Sequence, residues 1–263
     1  MLPAKKALVA RRRIKSMGIV RMGVPTELVL HLTNLRKCET FVETGTYQGE
    51  TASWAAQHFT HVITVENSLS LYEETSTRLK EKQNIEFRFG DSRTQMAAIV
   101  QDLKSPAVFW LDSHWCGGSS YGADDQCPIL DELRILNQSD IEHLILIDDA
   151  RLFLAPPPLP NQAEQWPTIA DICTLLNNGK HTRYTVVFED VILSVPLHAK
   201  PALLAWCQDA TTKAWHEYGE KLRQENQTPR RDSAKGVFSW VMKVSGAMHH
   251  QLGRIKPKTP GAL

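Results

Sequence analysis

From residue 38 onward, short runs of apolar and β-branched residues alternate with longer stretches whose apolar positions recur at helical spacing. Thr40 to Glu43, Val62 to Glu66, Ile85 to Gly90, Ala107 to Asp112 and Leu144 to Asp148 have the pattern of strands. Glu50 to His58, Ser70 to Glu81, Arg93 to Leu103 and Pro128 to Leu136 have the pattern of connecting helices. Pro128 suits a first helical turn, having no N–H to lose there. Strand and helix in alternation predict an α/β fold with a doubly wound, mostly parallel sheet. Thr182 to Pro196 holds two β-rich runs meeting at Glu189-Asp190, which predicts an antiparallel pair at the sheet edge. Leu152 to Pro167 carries Pro156-Pro157-Pro158 and Pro160 and is expected to be an irregular lid or substrate loop. Residues 199 to 225 have a helical pattern, and beyond Asn226 the pattern assigns no element.

Composition bounds the class without naming the chemistry. The 263 residues, 42% hydrophobic and 22% charged, are enough for one substantial core and are unlike a disordered or fibrous chain. A division into a basic extension at 1–37, a core at 38–196 and a C-terminal helix with a basic tail at 197–263 follows the pattern. No run of eighteen apolar residues occurs, so no membrane-spanning helix is expected. Five widely spaced cysteines without a CxxC fit a reducing, cytoplasmic setting.

Charge changes the picture. The net charge of +1 conceals nine Lys/Arg against Glu27 alone in residues 1–37 and seven against Asp232 alone in residues 226–263. Residues 38–225 are left with 14 basic and 27 acidic groups. Basic ends are suited to contact nucleic acid or an anionic surface. No aromatic-rich RNA-binding signature accompanies them, which favours solvated arms or helices packed on the acidic body.

In an open parallel sheet, ligands bind beyond the carboxyl ends of the strands. Those ends are Glu43, Glu66, Asp91, Asp112 and Asp148-Asp149, all acidic. Wet loops often place an acid at a strand end, but the run of five together with a glycine turn is a stronger pattern. That turn is FVETGTYQGET, where Gly45 and Gly49 bracket the bend before a helix. Their spacing is GxxxG, not the GxGxxG of dinucleotide sites. Glu43 beside the turn would repel a pyrophosphate and suit a ligand bearing a sulfonium or ammonium charge. Glu66, 21 residues after Gly45, is placed to accept from both hydroxyls of a ribose. Asp91-Ser92 is placed to reach an adenine edge. Together these describe a nucleoside pocket without phosphates.

Through VETGTYQGET, the Glu66 of VITVE and the FGDS at Asp91, residues 38–196 resemble the class I S-adenosylmethionine-dependent methyltransferases. The resemblance implies a Rossmann-like sheet, S-adenosylmethionine as cofactor, Glu43, Gly45 and Gly49 along its methionine side, Glu66 on its ribose and Asp91 near its adenine. Thr46, Thr51, Ser92 and Asp112 are placed with the same cofactor set. One departure is Tyr47, which stands between Thr46 and Gln48 where the family commonly has a glycine.

A second constellation is FWLDSHWCGG with LILIDDAR. Neighbouring strand ends would bring Asp112 near Asp148 and Asp149, with His114 two residues beyond Asp112. Three clustered carboxylates are costly unless a cation balances them, and oxygen ligands favour Mg²⁺, Ca²⁺ or Mn²⁺. The pattern resembles macrocin-type sugar O-methyltransferases, which implies Asp112, Asp148 and Asp149 as ligands of Mg²⁺ or another divalent cation. It implies a sugar or glycan-derived small-molecule hydroxyl as acceptor, with Asp112, His114 or Asp148 as base. Absence of an Asn/Asp-Pro-Pro-Tyr motif favours oxygen over nitrogen as the methylated atom. Trp110, Trp115 and Trp166 are available to shape the acceptor pocket or to pack.

Four other functions compete. A nucleoside-binding module without turnover shares the cofactor residues. An NAD(P) oxidoreductase fits the fold but lacks the glycine spacing and a tyrosine followed four residues later by lysine. Gly118-Ser119-Ser120-Tyr121-Gly122 formally matches a serine hydrolase's nucleophile elbow but does not join a strand directly to a helix. His114, Cys116 and Cys127 match no familiar zinc spacing.

Overall fold

The computed structural model describes residues 21–115, 117 and 122–227. The first twenty residues, the basic tail after Gln227, Cys116 and the Gly118 to Tyr121 part of the elbow-like motif lie outside the described residues. Contacts divide the chain into Met1–Ala214 and Trp215–Leu263. The second unit contributes the last turns of the final helix, where the rings of Trp215 and Tyr218 meet edge to face at 6.4 Å. All else below concerns the first.

Seven strands form one sheet: β1 Thr40–Thr44, β2 His61–Glu66, β3 Ile85–Phe89, β4 Ala107–Leu111, β5 Leu144–Ile147, β6 Arg183–Phe188 and β7 Val191–Pro196. Their order is β3-β2-β1-β4-β5-β7-β6, with β1 to β5 parallel and β7 antiparallel to both its neighbours. The expected doubly wound, mostly parallel sheet with an antiparallel edge pair is the observed fold. Chain order reverses between β1 and β4, which pair from Thr40 against Ala107 to Thr44 against Leu111. Such a reversal opens a crevice at the strands' carboxyl ends.

Eight helices flank the sheet: α1 Thr26–Arg36, α2 Glu50–Ala55, α3 Leu69–Arg78, α4 Ser92–Asp102, α5 Ile129–Leu136, α6 Arg151–Leu154, α7 Ile169–Asn177 and α8 Lys200–Gln227. Successive strand residues point to opposite faces, and the core divides accordingly. Val42, Phe109 and Leu111 pack with Met96 and Ile99 of α4, Leu133 of α5 and Ile172 and Leu176 of α7. Phe41, Val108 and Trp110 pack on the other face with Leu28 and Leu32 of α1, Ala52 and Ala55 of α2 and Leu203 of α8. A central strand buried on both sides must be apolar throughout, as Ala107–Leu111 is.

Three helices, α1, α6 and α7, have no counterpart among the sequence expectations. Residues 26–36 were read only as part of the basic stretch 1–37, yet α1 buries Leu28, Val29 and Leu32. Helix α7 opens with a capping box, in which Thr168 accepts from the Asp171 N–H and Asp171 accepts from the Thr168 N–H. The proline-rich stretch is irregular apart from α6 and a single 3₁₀ turn at Ala163–Gln165. Among the described residues, no helix is long and apolar enough to cross a membrane.

Candidate active site

The crevice between the ends of β1, β2, β4 and β5 holds a cavity of about 300 Å³, its wall including Gly45, Glu66, Asp91, Asp112, Asp148 and Asp149. Closing β1 onto β4 requires glycine at position 45. Its φ is +89°, and a Cβ there would collide with the Asp112 carbonyl oxygen. The same approach lets the Asp112 N–H donate to the Thr44 carbonyl at 3.0 Å, fixing the first residue after β4.

Glu66 ends β2 with both oxygens engaged. The Tyr47 N–H donates to Oε2 at 2.9 Å and the Ser68 N–H to Oε1 at 2.8 Å. Each oxygen keeps a lone pair free for a further donor, so the carboxylate can still take a diol while held in one orientation. Asp91 caps α4 and accepts from the Arg93 backbone at 2.9 Å and from its guanidinium at 2.9 and 2.6 Å. The Arg93 hydrogen bond holds the Asp91 carboxyl below its usual range. Arg93 also reaches Asp125 at 2.7 Å, so the floor below Ser92 is an ion-paired platform. Asn67, next to Glu66, lines the cavity and supplies an amide edge that the acidic pattern did not single out.

Glu43, Thr46, Gly49 and Thr51, which the sequence assigned to the cofactor, do not line the cavity. Gly49 is packed against Thr75 and Leu79, where a Cβ would not fit. The Glu43 side chain turns inward instead. Its Oε2 accepts from the Thr64 hydroxyl at 2.6 Å, and Thr64 Oγ1 lies 2.6 Å from the Thr46 hydroxyl. Burial pushes the Glu43 carboxyl up to about 8, the Thr64 hydrogen bond only partly opposing it.

The ends of β4 and β5 do bring Asp112, His114, Asp148 and Asp149 together. His114 Nε2 lies 2.9 Å from Asp149 Oδ2 and Nδ1 lies 3.7 Å from Asp112 Oδ1. The imidazole is almost wholly buried, with Trp166 edge-on at 5.4 Å and Phe153 behind it at 5.7 Å from that indole. Burial alone would lower the His114 pKa, but the Asp149 hydrogen bond and the charges of Asp112, Asp149 and Asp148 together raise it. Asp112 is raised, first by burial and then by Asp148 and Asp149, with His114 pulling the other way. Asp148 is raised by burial and by the charge of Asp149. Asp149 is lowered despite its burial, because His114 and Arg151 both bind its charged form.

The expected divalent-metal site at Asp112, Asp148 and Asp149 finds no support in the side-chain arrangement. Among the described residues, no group of three or more His, Cys, Asp or Glu is arranged to hold a metal ion. Asp149 and Asp148 already have partners. Asp149 gives Oδ2 to His114 and Oδ1 to Arg151 Nη1 at 2.6 Å, while Asp148 Oδ1 accepts the Asp149 N–H at 2.7 Å. Asp149 itself sits at φ +54°, a left-handed conformation that aims its carboxylate at His114.

Five residues of this neighbourhood escape a reading of strand ends. Arg151 bridges Asp149 and the buried Asp190 of the β6–β7 turn, whose Oδ1 also accepts the Arg151 N–H at 3.0 Å. Glu132 of α5 is buried behind the site, with Oε1 accepting from Ser113 at 2.7 Å and Oε2 unpartnered. Gln126 accepts from the Gln162 N–H at 2.8 Å and the Trp166 indole at 2.9 Å, docking the proline-rich stretch beside His114. Arg93 is the fifth. Arg151 and Asp190 stood next to residues already singled out; for Gln126 and Trp166, 40 residues apart, the sequence carries no local signal. Trp110 belongs to the core, not to the cavity.

No family model matches the chain, and no curated protein does. Solved structures that resemble it in fold include methyltransferases. An S-adenosylhomocysteine-bound methyltransferase from Podospora anserina is 15% identical, with a TM-score of 0.47 over 66% of this chain and 80% of that one. A candidate caffeoyl-CoA O-methyltransferase from Staphylococcus aureus is 13% identical, at 0.46 over 67% and 86%. A candidate methyltransferase from Streptococcus mutans, in complex with S-adenosylhomocysteine, is 9% identical, at 0.46 over 67% and 100%.

Proposed function

We propose that the cleft binds S-adenosylmethionine and transfers its methyl group to a hydroxyl oxygen of a neutral acceptor, a sugar or another polar small molecule. The observation that carries this reading is the cleft's lining at the switch point: six carboxylates against Arg93 and His114. Arg93 is spent on Asp91 and Asp125, and His114 on Asp149. Glu66 and Asp148 then face the cavity without an ion-pair partner among the described residues, and Asp112 has only His114 at 3.7 Å, which Asp149 holds more closely. A pyrophosphate would be repelled, whereas a nucleoside carrying ammonium and sulfonium charges is attracted.

In this reading Glu66, held by two backbone amides, takes the ribose hydroxyls. Asn67, Leu71 and Ser92 enclose the base. The methyl carbon then points toward Asp112 and Asp148. The acceptor hydroxyl attacks that carbon in line with the departing sulfur. An oxygen–carbon bond forms as the carbon–sulfur bond breaks, S-adenosylhomocysteine leaves, and the hydroxyl proton passes to a carboxylate. Asp112 is the better base. A third of its side chain is open to the cleft, and its pKa lies above the ordinary range, whereas the His114 Nε2 is committed to Asp149. Asp148 orients the acceptor.

Calorimetric titration with S-adenosylhomocysteine and, separately, with NADH tests the cofactor. Binding of the first alone is expected, and Glu66→Ala should weaken it by about 1–3 kcal/mol, the worth of charge-assisted hydrogen bonds. Binding of NADH, or no affinity for S-adenosylhomocysteine, would refute the reading. Asp112→Asn should retain cofactor binding and lose methyl transfer. Cofactor binding without turnover on any hydroxyl acceptor would point to the non-catalytic module.

A further inference from the structure

We infer that the acidic cluster at the ends of β4 and β5 carries its own cation, Arg151, where its sequence resembles a metal site, and that the site works without a divalent ion. The inference rests on the proposed reading only for the reaction; the claim about the cation stands on contacts.

Three carboxylates gathered in a half-buried crevice need positive charge nearby. Arg151 supplies it from the first turn after β5, with its guanidinium between Asp149 and the buried Asp190. Its position is set three ways. The Ala150 N–H donates to the Asp190 carbonyl at 2.8 Å, the Arg151 N–H donates to Asp190 Oδ1 at 3.0 Å, and the side chain closes the ring. A guanidinium keeps its charge at any pH at which the protein is folded. On the other side of Asp149, His114 Nε2 fills the second oxygen at 2.9 Å, and a carboxylate oxygen opposite a ring nitrogen can only accept. Asp149, the central member of the trio, thus spends both oxygens on side chains. A divalent ion needs several oxygens directed at one point, at about 2.1–2.6 Å. Each Asp149 oxygen keeps a lone pair, but a divalent ion using it would sit against the Arg151 guanidinium, whose fixed positive charge repels it.

Manganese titration followed by the loss of free Mn²⁺ signal in electron paramagnetic resonance tests this on the apo protein, with calorimetric binding of S-adenosylhomocysteine measured on the same samples. The wild type is expected to leave the Mn²⁺ signal unchanged up to about 1 mM, the weak end of protein oxygen sites. The double variant H114N/R151Q, which frees both Asp149 oxygens, is expected to gain Mn²⁺ binding, and Arg151→Lys, which retains the charge, to gain none. Folding of each is read from its circular dichroism. Should R151Q substitution prove unable to fold, the wild-type and Arg151→Lys titrations decide. Mn²⁺ binding by the wild type, loss of methyl transfer on chelation, or a folded double variant that still ignores Mn²⁺ would overturn the inference. A wild type that neither binds Mn²⁺ nor S-adenosylhomocysteine leaves the cation claim standing and sinks the methyltransferase reading.

Discussion

A carboxyl group sealed beneath the Gly45 turn has a cost that pH can expose. Glu43 is buried between β1 and β2, with the Thr64 hydroxyl bonded to it at 2.6 Å and the Thr51 side chain also favouring its charged form, neither enough to offset burial. Its folded pKa of about 8 lies above the unfolded 4.5, so the folded chain binds more protons between those values. Stability therefore is full below about pH 4.5 and falls as pH rises toward 8, by at most about 5 kcal/mol, since one pKa unit is worth about 1.4. Glu43→Gln keeps an acceptor for Thr64 and removes the charge. The variant should match the wild type at pH 5 and melt at a distinctly higher temperature at pH 8, in thermal scans at both values. Equal melting at pH 8 would mean that the carboxyl is ionised and compensated in the wild type. The contrast with Asp91 is instructive: Arg93 grips that carboxyl and lowers its pKa, so its contribution is present above the unfolded value and fades only in acid.

Elements were legible where periodicity was strong, and contacts were not. The five parallel strands and the β6–β7 pair follow from runs such as AVFWL and VILSVP, because a strand buried on both faces must be apolar along its length. Helix α1 was obscured since its buried face is short, Leu28, Val29 and Leu32, and the stretch 1–37 around it was read for its charge, although the Thr168/Asp171 box before α7 was a readable signal. The acids of the site were readable as strand-end residues, but the inward turn of Glu43 and the capture of Asp149 by Arg151 depend on side-chain directions that spacing does not encode. The proline-rich stretch is the clearest case. Its composition suggested a lid, whereas the buried side chain of Gln126 anchors its far end by receiving the Gln162 N–H and the Trp166 indole. Gln126→Ala leaves two donors without their acceptor and should cost about 2–3 kcal/mol. The same change should speed proteolytic cleavage within residues 155–165, where Leu159 is already 92% exposed. Unchanged cleavage would show that the prolines alone hold the stretch.

At the scale of the whole molecule, the charge partition sets which acceptors the cleft would tolerate under the proposed methyl transfer. Residues 38–225 carry 27 acidic against 14 basic groups, and Arg93, Arg151 and His114 are consumed by acids of the same neighbourhood. Asp112 and Asp148 are raised to about 8 and about 6, so above about pH 8 both are ionised and their negative field faces an incoming acceptor. Two unit charges about 6 Å apart in a medium of effective dielectric about 20 repel by nearly 3 kcal/mol, equivalent to about 100-fold in rate. A phosphorylated sugar should accordingly be methylated at least tenfold less efficiently, in kcat/KM, than the same sugar without phosphate, with labelled S-adenosylmethionine reporting transfer. Because the cleft is open on one side, added salt should narrow that ratio as the Debye length falls from about 10 Å at 0.1 M to about 3 Å at 1 M. Asp148→Asn, which removes one of the two charges, should narrow it further at low salt, a step that separates field from fit. A phosphorylated acceptor preferred at low salt would place a cation in the cleft that neither Arg93 nor Arg151 supplies, and would overturn the charge argument for a neutral acceptor.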